Sequence, residues 1–496
     1  MAQQVKSLFT PFGGLGGLTA IIGAQCVLLL IMLVDWRIPM ALVIALILTV
    51  AALRWPLGAV ALLIAARLIG TASMSWLHVG GLHLGVFEPV LMIALGALLY
   101  HAVVRRKTII QDYPWLTPMI FFLGYQVVGL LWCYKIGQGI SDIVSTGVIL
   151  TNAMLIVTFV RDFDDYKKVF TIWVAASVTI GILSLATSLG DSGGGGVWEV
   201  AAGGGRETGL GQQPNWFAMN LMFSVHTCFG MAVVQENKRH RLLFMLAGMF
   251  IFITQLRSGS RGGAYAIIIG GTLVALAHPV FRRWMKRFIM IVLGIFAFYI
   301  LFDIGSSTSK AMTRIATNIT NTWGQDVRET NWMVCWQMFI NTWGIGIGPG
   351  GYADLLEDYN WKLYTSIHRY PHGIFWGIMA HYGLIGLSLA VWVLVAIFRM
   401  ARELVILTRG TAVEVFAWTM PATMVGYIAW SFIEFEVNDK PFWEFLALYT
   451  ALYLGVKRML AEGKELPPMP HDVKLPWQRQ MGALPPLPPL PDPAKT

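Results

Sequence analysis

Arg257 and Arg261 stand four residues apart in "ITQLRSGSRGGAYAIII", wrapped in serine and glycine where one apolar run ends and the next begins. Arg328 opens "RETNWMVCWQMFINTW", and His372 follows a proline in "HRYPHGIFWGIMAHYGLIG". These residue types share one chemistry. Guanidinium groups are fixed planar donors that match the oxygens of a phosphate or carboxylate in pairs. A neutral imidazole at the edge of an apolar segment can take a proton from a hydroxyl nucleophile. A plain connection between two apolar segments needs neither two cations nor three glycines, so the arginines point to an anion.

Local signals leave alternatives at each position. Asp326 and Glu329 resemble a capping box with Asp in the usual Ser or Thr place, which starts a helix near 327. Arg328 then sits in the first turn, where a cation opposes the helix dipole unless an anion occupies the N-terminal N–H groups. Pairing with Asp326 or Glu329, or with a lipid phosphate, satisfies it as well. Trp332, Trp336, Phe339 and Trp343 recur at helical spacing, so an amphipathic helix over 327–343 is expected on the membrane surface or against the bundle. "GIGIGPGGY" (344–352) is loosely a GxGxxG, but it follows no buried strand and reads as tight turns. Among His368, His372 and His381, Pro371 separates the first two, and no HExxH completes a zinc site. A helix beginning at Pro371 puts His372 in its first turn. A packed interfacial histidine fits that spacing equally.

The elements that position these residues follow from composition. The 496-residue chain is 56% hydrophobic and 13% charged, with a mean hydropathy of +0.62. Soluble domains carry roughly 25% charged residues. Apolar runs of about 20 residues recur, each long enough to cross ~30 Å of hydrocarbon as a helix. The fold class is therefore all-α polytopic membrane protein. Fourteen runs qualify, at 17–34, 38–53, 56–75, 85–103, 115–134, 142–160, 169–189, 214–235, 242–256, 262–280, 287–303, 372–398, 411–433 and 441–456. The second and ninth are short, giving about twelve to fourteen spans. The first run lacks a following small-residue cleavage site and reads as an anchor.

Basic loops set the orientation. With a cytoplasmic N-terminus, "RRK" (105–107), "RDFDDYKK" (161–168), "NKRHR" (237–241), "RRWMKR" (282–287) and the tail after Lys457 all fall inside. With Arg399, Arg402 and Arg409 also inside, 24 of the 36 lysines and arginines lie on that side, so the net charge of +9 is inside-positive bias and gives no argument for nucleic acid. The outer side receives the glycine-rich loop 188–215, the "RSGSR" turn and a long segment over 304–371, too long for a passive connection. Both termini are expected in the cytoplasm. The transmembrane unit covers 1–456, and 457–496 is a proline-rich cytoplasmic tail. Cys26, Cys133, Cys228 and Cys335 show no paired spacing.

"TQLRSGSRGGAYA", "RETNWMVCWQMFINTWGIGIGPGGY" and "PHGIFWGIMAHYGLIGLS" occur in the order seen in the O-antigen ligase and Wzy polymerase superfamily, which this chain resembles over roughly 205–395. Upstream, "GLGQQPNWFAMNL" resembles that family's Pro-Asn element, with Asn215 opening a span. The resemblance implies a GT-C-like glycosyltransferase of the bacterial inner membrane, active at the periplasmic face. Its donor would be a glycan on a polyprenyl diphosphate of the undecaprenyl type, and its acceptor another glycan, amid membrane lipids. By motif match Arg261 and Arg328 would hold the diphosphate, with Arg257 beside them, and His372 would be the catalytic histidine. No cofactor is implied. No DxD-like motif lies on the outer side, which fits a metal-independent reaction. Family members often read His-Asn where this chain reads His372–Gly373, which puts the acceptor in doubt. A polymerase joining repeat units, with a chain-length regulator as partner, is favoured over a ligase acting on lipid A–core, and over protein glycosylation. Glu207 is a further carboxylate on the outer side that could take the acceptor's proton.

A transporter or flippase would instead place charged or broken helices at mid-membrane. Arg67 alone sits deep in a span, either pointing into the substrate cavity or snorkelling.

Overall fold

The computed structural model describes residues 37–70, 77–79, 82–84, 87–104, 111–190, 214–258, 260–278, 282, 290, 327–359, 371–434 and 439–470. The expected span 17–34, the span 287–303 except residue 290, the capping residue Asp326, Glu207, His368 and the tail beyond 470 lie outside the described residues.

The described elements, in order, are α1 (Arg37–Arg54), α2 (Pro56–Gly70), β1 (Leu77–Val79), β2 (Leu82–Leu84), α3 (Phe87–Val103), α4 (Leu116–Gly129), α5 (Ile136–Phe159) and α6 (Phe163–Gly190). There follow α7 (Pro214–Val234), α8 (Lys238–Arg257), α9 (Arg261–Ala277), α10 (Val327–Asn341), α11 (Tyr352–Tyr359), α12 (Ile374–Leu407), α13 (Glu414–Ser431) and α14 (Lys440–Ala461). β1 and β2 form one antiparallel hairpin, Leu77 opposite Leu84. α5, α6, α7 and α12 are long and apolar enough to cross a membrane, and α2, α3, α4 and α9 contribute shorter apolar helices. The protein is an all-α polytopic membrane protein, as its hydropathy required.

α7 is the centre. It is mostly apolar and buried on every side from Phe217 to Val233, as a helix enclosed by others must be. α6, α8, α9 and α13 pack around it. Outside that group α4 and α10 pack on α12, and α5 on α14. Arg67 in α2 bonds to Glu444 in α14 and, at 2.7 Å, to Asn220 in α7. Its guanidinium also lies 5.2 Å over the Trp173 ring of α6. Four helices are thus pinned at one buried point, Arg67 and Glu444 each being 1% exposed.

Helix ends depart from the hydropathy limits where charge favours extension. α6 begins at Phe163, inside the stretch expected as a basic loop, because Asp164 and Asp165 in its first turn complement the helix dipole. α14 runs on to Ala461, past the expected boundary at 456, and the chain then folds back so that Ala412 N–H donates to Pro467 O at 2.9 Å.

The expected helix over 327–343 forms as α10, ending at Asn341. It is not amphipathic in the usual sense. Asn331, Val334, Cys335 and Met338 are buried on one side, while Met333, Trp336 and Ile340 are exposed on the other. Apolar residues on both sides suit a helix wedged between the bundle and hydrocarbon.

The glycine run after α10 is explained by a break in α12. Gly383 has non-helical angles (φ 58°, ψ −152°) and interrupts that helix. The freed carbonyls of Ala380 and His381 accept from Ile347 and Gly348 N–H, both at 2.9 Å, and Leu384 N–H donates to Gly344 O at 2.9 Å. A Cβ at Gly383 would lie 2.0 Å from Gly344 O, so only glycine fits. The tight-turn chemistry expected of "GIGIGPGGY" is used to splice a loop into a kinked helix.

Candidate functional site

Five chain segments meet at one end of the bundle. The "RSGSR" turn joins α8 to α9, and its serines cap both helices. Ser258 is the C-cap of α8, its hydroxyl donating to Gln255 O at 2.6 Å, and Ser260 is the N-cap of α9, accepting from Gly263 N–H at 3.3 Å. Arg257 and Arg261 therefore leave adjacent helix ends, and both are exposed. Gly262 lets α9 press against α13, since a Cβ there would lie 1.8 Å from Trp430 Nε1. Arg261 thus opens the helix whose first turn packs on Trp430, four residues before Glu434.

Glu434 is the hub, and the sequence reading did not single it out. It follows the C-cap of α13, is 2% exposed, and collects three partners from distant parts of the chain. Asn215, at the start of α7, donates through Nδ2 to Oε1 at 2.7 Å. Arg328, at the start of α10, donates to Oε2 at 2.5 Å. His372 Nδ1 lies 3.9 Å from the same Oε2. A buried carboxylate needs such charged and polar partners, because desolvation alone disfavours its ionised form. Arg328 thus pairs with a residue 106 positions away, which no local spacing could indicate. It keeps about a quarter of its side chain open, at 27% exposure.

His372 is held by its backbone. Trp332, one turn beyond Arg328 on α10, donates its indole N–H to His372 O at 2.9 Å and stacks on Trp376, centroids 5.7 Å apart. His372 itself has φ 52°, an uncommon value for a residue with a side chain, of the kind that gathers at functional sites. α12 starts at Ile374, so the expected placement of His372 in the first helical turn is corrected: it lies in the strained turn before the helix. Gly373 has φ 156°, and a Cβ there would come within 2.4 Å of Phe432 O. Only glycine passes the end of α13 at this distance, which gives a physical reason for glycine where an asparagine is often found in the resembling family.

The predicted residues divide accordingly. Arg328, His372 and Asn215 converge on Glu434, and Arg261 and Arg257 lie at the same end on the neighbouring turn. Arg67 stands apart in its buried pin, bonded to Glu444 and Asn220. Asp142 and His381 come together on facing helices, a pairing that no sequence spacing links. Burial holds the Cys335 thiol protonated, pushed up to about 12, so it packs and does not react; Cys133, Cys228 and Cys335 are free thiols. Among the described residues no group of three or more His, Cys, Asp or Glu is placed to hold a metal ion. A signal for Glu434 did exist: "SFIEFEVNDK" closes an apolar span with acidic residues on the side where the arginines lie.

Residues 242–391 match the O-antigen ligase family. The matched stretch runs from α8 to the middle of α12 and holds Arg257, Arg261, Arg328 and His372, but neither Asn215 nor Glu434. The chain is also similar to the teichuronic acid biosynthesis protein TuaE of Bacillus subtilis (strain 168), at 22% identity over 419 residues, covering 76% of this chain and 81% of that protein. The family match thus falls on the stretch that carries the candidate arginines and His372, and the likeness to TuaE extends over most of the chain.

Proposed function

We propose that the protein transfers a glycan from a polyprenyl diphosphate to a hydroxyl of a second glycan at the periplasmic face. The observation that carries this is the Glu434 hub, which joins a guanidinium, an amide and a histidine at one membrane boundary. Arg328 and Arg261 hold the diphosphate. As the sugar–oxygen bond to the diphosphate breaks, negative charge grows on the leaving phosphate, and preorganised guanidinium groups stabilise it. His372 takes the acceptor hydroxyl's proton, and Glu434, within 4 Å, stabilises the resulting imidazolium. The charge stabilisation is thus assigned to arginine and not to a metal.

A second feature supports a lipid-linked donor. An almost wholly apolar cavity of about 310 Å³ lies between α4, α12, α13 and α14. Its wall includes Phe432 and Ile374, each two residues from Glu434 and His372 respectively, so an isoprenoid chain resting there would leave its diphosphate at the hub.

Joining repeat units into an exopolysaccharide or O-antigen is the favoured reaction, because the turn at His372 carries Gly373. The family description favours the alternative, a ligase that moves a finished glycan to lipid A–core. Deleting the gene and analysing surface glycan with the lipid-linked pool tests both. A polymerase leaves single repeat units on the lipid, and a ligase leaves full-length chains there. An unchanged surface glycan and lipid pool would overturn the proposal.

A further inference from the structure

A second, smaller pocket of about 110 Å³ lies beside the hub, where α5 meets the break in α12 and the 344–351 loop. That is several times the ~10–15 Å³ that a single water needs. Asp142 of α5 and His381 of α12 line it together and interact electrostatically. Gln138 joins them, and Pro371 and Gly373, the two neighbours of His372, form another part of the wall. The pocket is therefore continuous with the turn that holds the histidine.

Its hydrogen-bonding character can be read from its parts. His381 Nδ1 lies 3.1 Å from Gly348 O. A carbonyl only accepts, so Nδ1 carries the proton and neutral His381 offers Nε2 as an acceptor. Gly350 N–H donates to the Asp142 carboxylate and fixes it against the loop, leaving further lone pairs. A carboxylate and an imidazole lone pair ask for a ligand rich in hydroxyl donors and without negative charge. Ile374 and Ile378 supply an apolar wall for C–H groups. A neutral sugar ring has both properties.

We propose that this pocket binds the terminal, non-acidic sugar of the acceptor glycan, with Asp142 and His381 as its recognition pair; the acceptor role rests on the glycosyl transfer proposed above. The break at Gly383 then has a use: it turns the His381 carbonyl to Gly348 and opens the side-chain space between α5 and α12. The sugar's reacting hydroxyl is delivered beside His372.

The test measures sugar binding without transfer. The purified full chain in detergent is titrated with glucose, galactose, N-acetylglucosamine and glucuronic acid, followed by saturation-transfer NMR. At least one neutral sugar should saturate the protein, and glucuronic acid should bind more weakly. Asp142→Asn should weaken the neutral sugar about tenfold or more, from loss of hydrogen bonds to a charged group. Gly377→Val narrows the pocket without touching its charge, since a Cβ there meets Pro371 only at ordinary contact distances, and should weaken binding likewise. Lys238→Ala, on α8 at the opposite end, should leave it unchanged. No saturation by any neutral sugar, or wild-type affinity in both Asp142→Asn and Gly377→Val, would overturn the proposal. Transfer without sugar binding removes the pocket's role alone, whereas sugar binding in a protein unable to transfer removes the acceptor role together with the proposed function.

Discussion

Glu434→Gln is the substitution that probes the hub with the least change of shape. Glutamate offers two acceptor oxygens, one taken by Asn215 at 2.7 Å and the other by Arg328 at 2.5 Å. Glutamine keeps one oxygen and replaces the other with an amino group, so one of those two donors must meet a donor. The loss is a hydrogen bond to a charged group, roughly 1.5–3 kcal/mol. Breaking a fully buried pair costs about 3–5 kcal/mol. Arg328 is 27% exposed and recovers part of its hydration, so the lower range applies. If that loss falls on the transition state, transfer drops about 10- to 150-fold, at tenfold per 1.4 kcal/mol. The assay is initial-rate transfer by purified protein with extracted lipid-linked glycan, alongside thermal unfolding to separate site from scaffold. A cycle with Arg328→Ala should show strong non-additivity, because both changes remove one contact. Transfer within about twofold of wild type in Glu434→Gln, well below that estimate, would refute the hub.

Arg67→Met leaves the Glu444 carboxylate buried beside Asn220 and should cost about 3–5 kcal/mol, seen as a large fall in unfolding temperature, most of which Arg67→Met with Glu444→Leu restores. Gly383→Ala places a Cβ 2.0 Å from Gly344 O at a φ of 58°, so it should displace the 344–351 loop and lower both stability and transfer; unchanged melting would show that the splice is dispensable. Cysteines at Lys135 and Lys238, which sit at opposite ends of the bundle, should label with an impermeant reagent from the outside and only after permeabilisation, respectively. Reversed labelling would put the hub in the cytoplasm and end the periplasmic assignment.

Spans were legible because hydropathy over about 20 residues has few alternative causes. α7 and α12 were both read within a residue or two of their starts, since Pro214 and Pro371 punctuate the chain. Arg328 and His372 were legible as types, and their motifs carried a resemblance. Glu434 was not, because its partners lie 219, 106 and 62 positions away and no local pattern links them. The partner of Arg67 was hidden for the same reason: its counter-ion is 377 residues away, and an arginine in a span reads as functional until that partner is known. The break at Gly383 was hidden inside a continuous apolar run, where glycine is common and one left-handed residue leaves no mark on hydropathy. The strain at His372 was equally invisible, since Pro371 promised an ordinary helix start.

In the proposed reaction His372 takes the acceptor's proton beside an arginine-held diphosphate. Purified protein in liposomes, supplied with extracted polyprenyl-diphosphate-linked glycan, measures it directly when wild type is compared with His372→Ala. Wild type should form product and release the lipid diphosphate, while His372→Ala should lose about 10²–10⁴-fold in transfer and still bind the lipid-linked donor. Transfer by His372→Ala at near the wild-type rate would show that His372 is not the base.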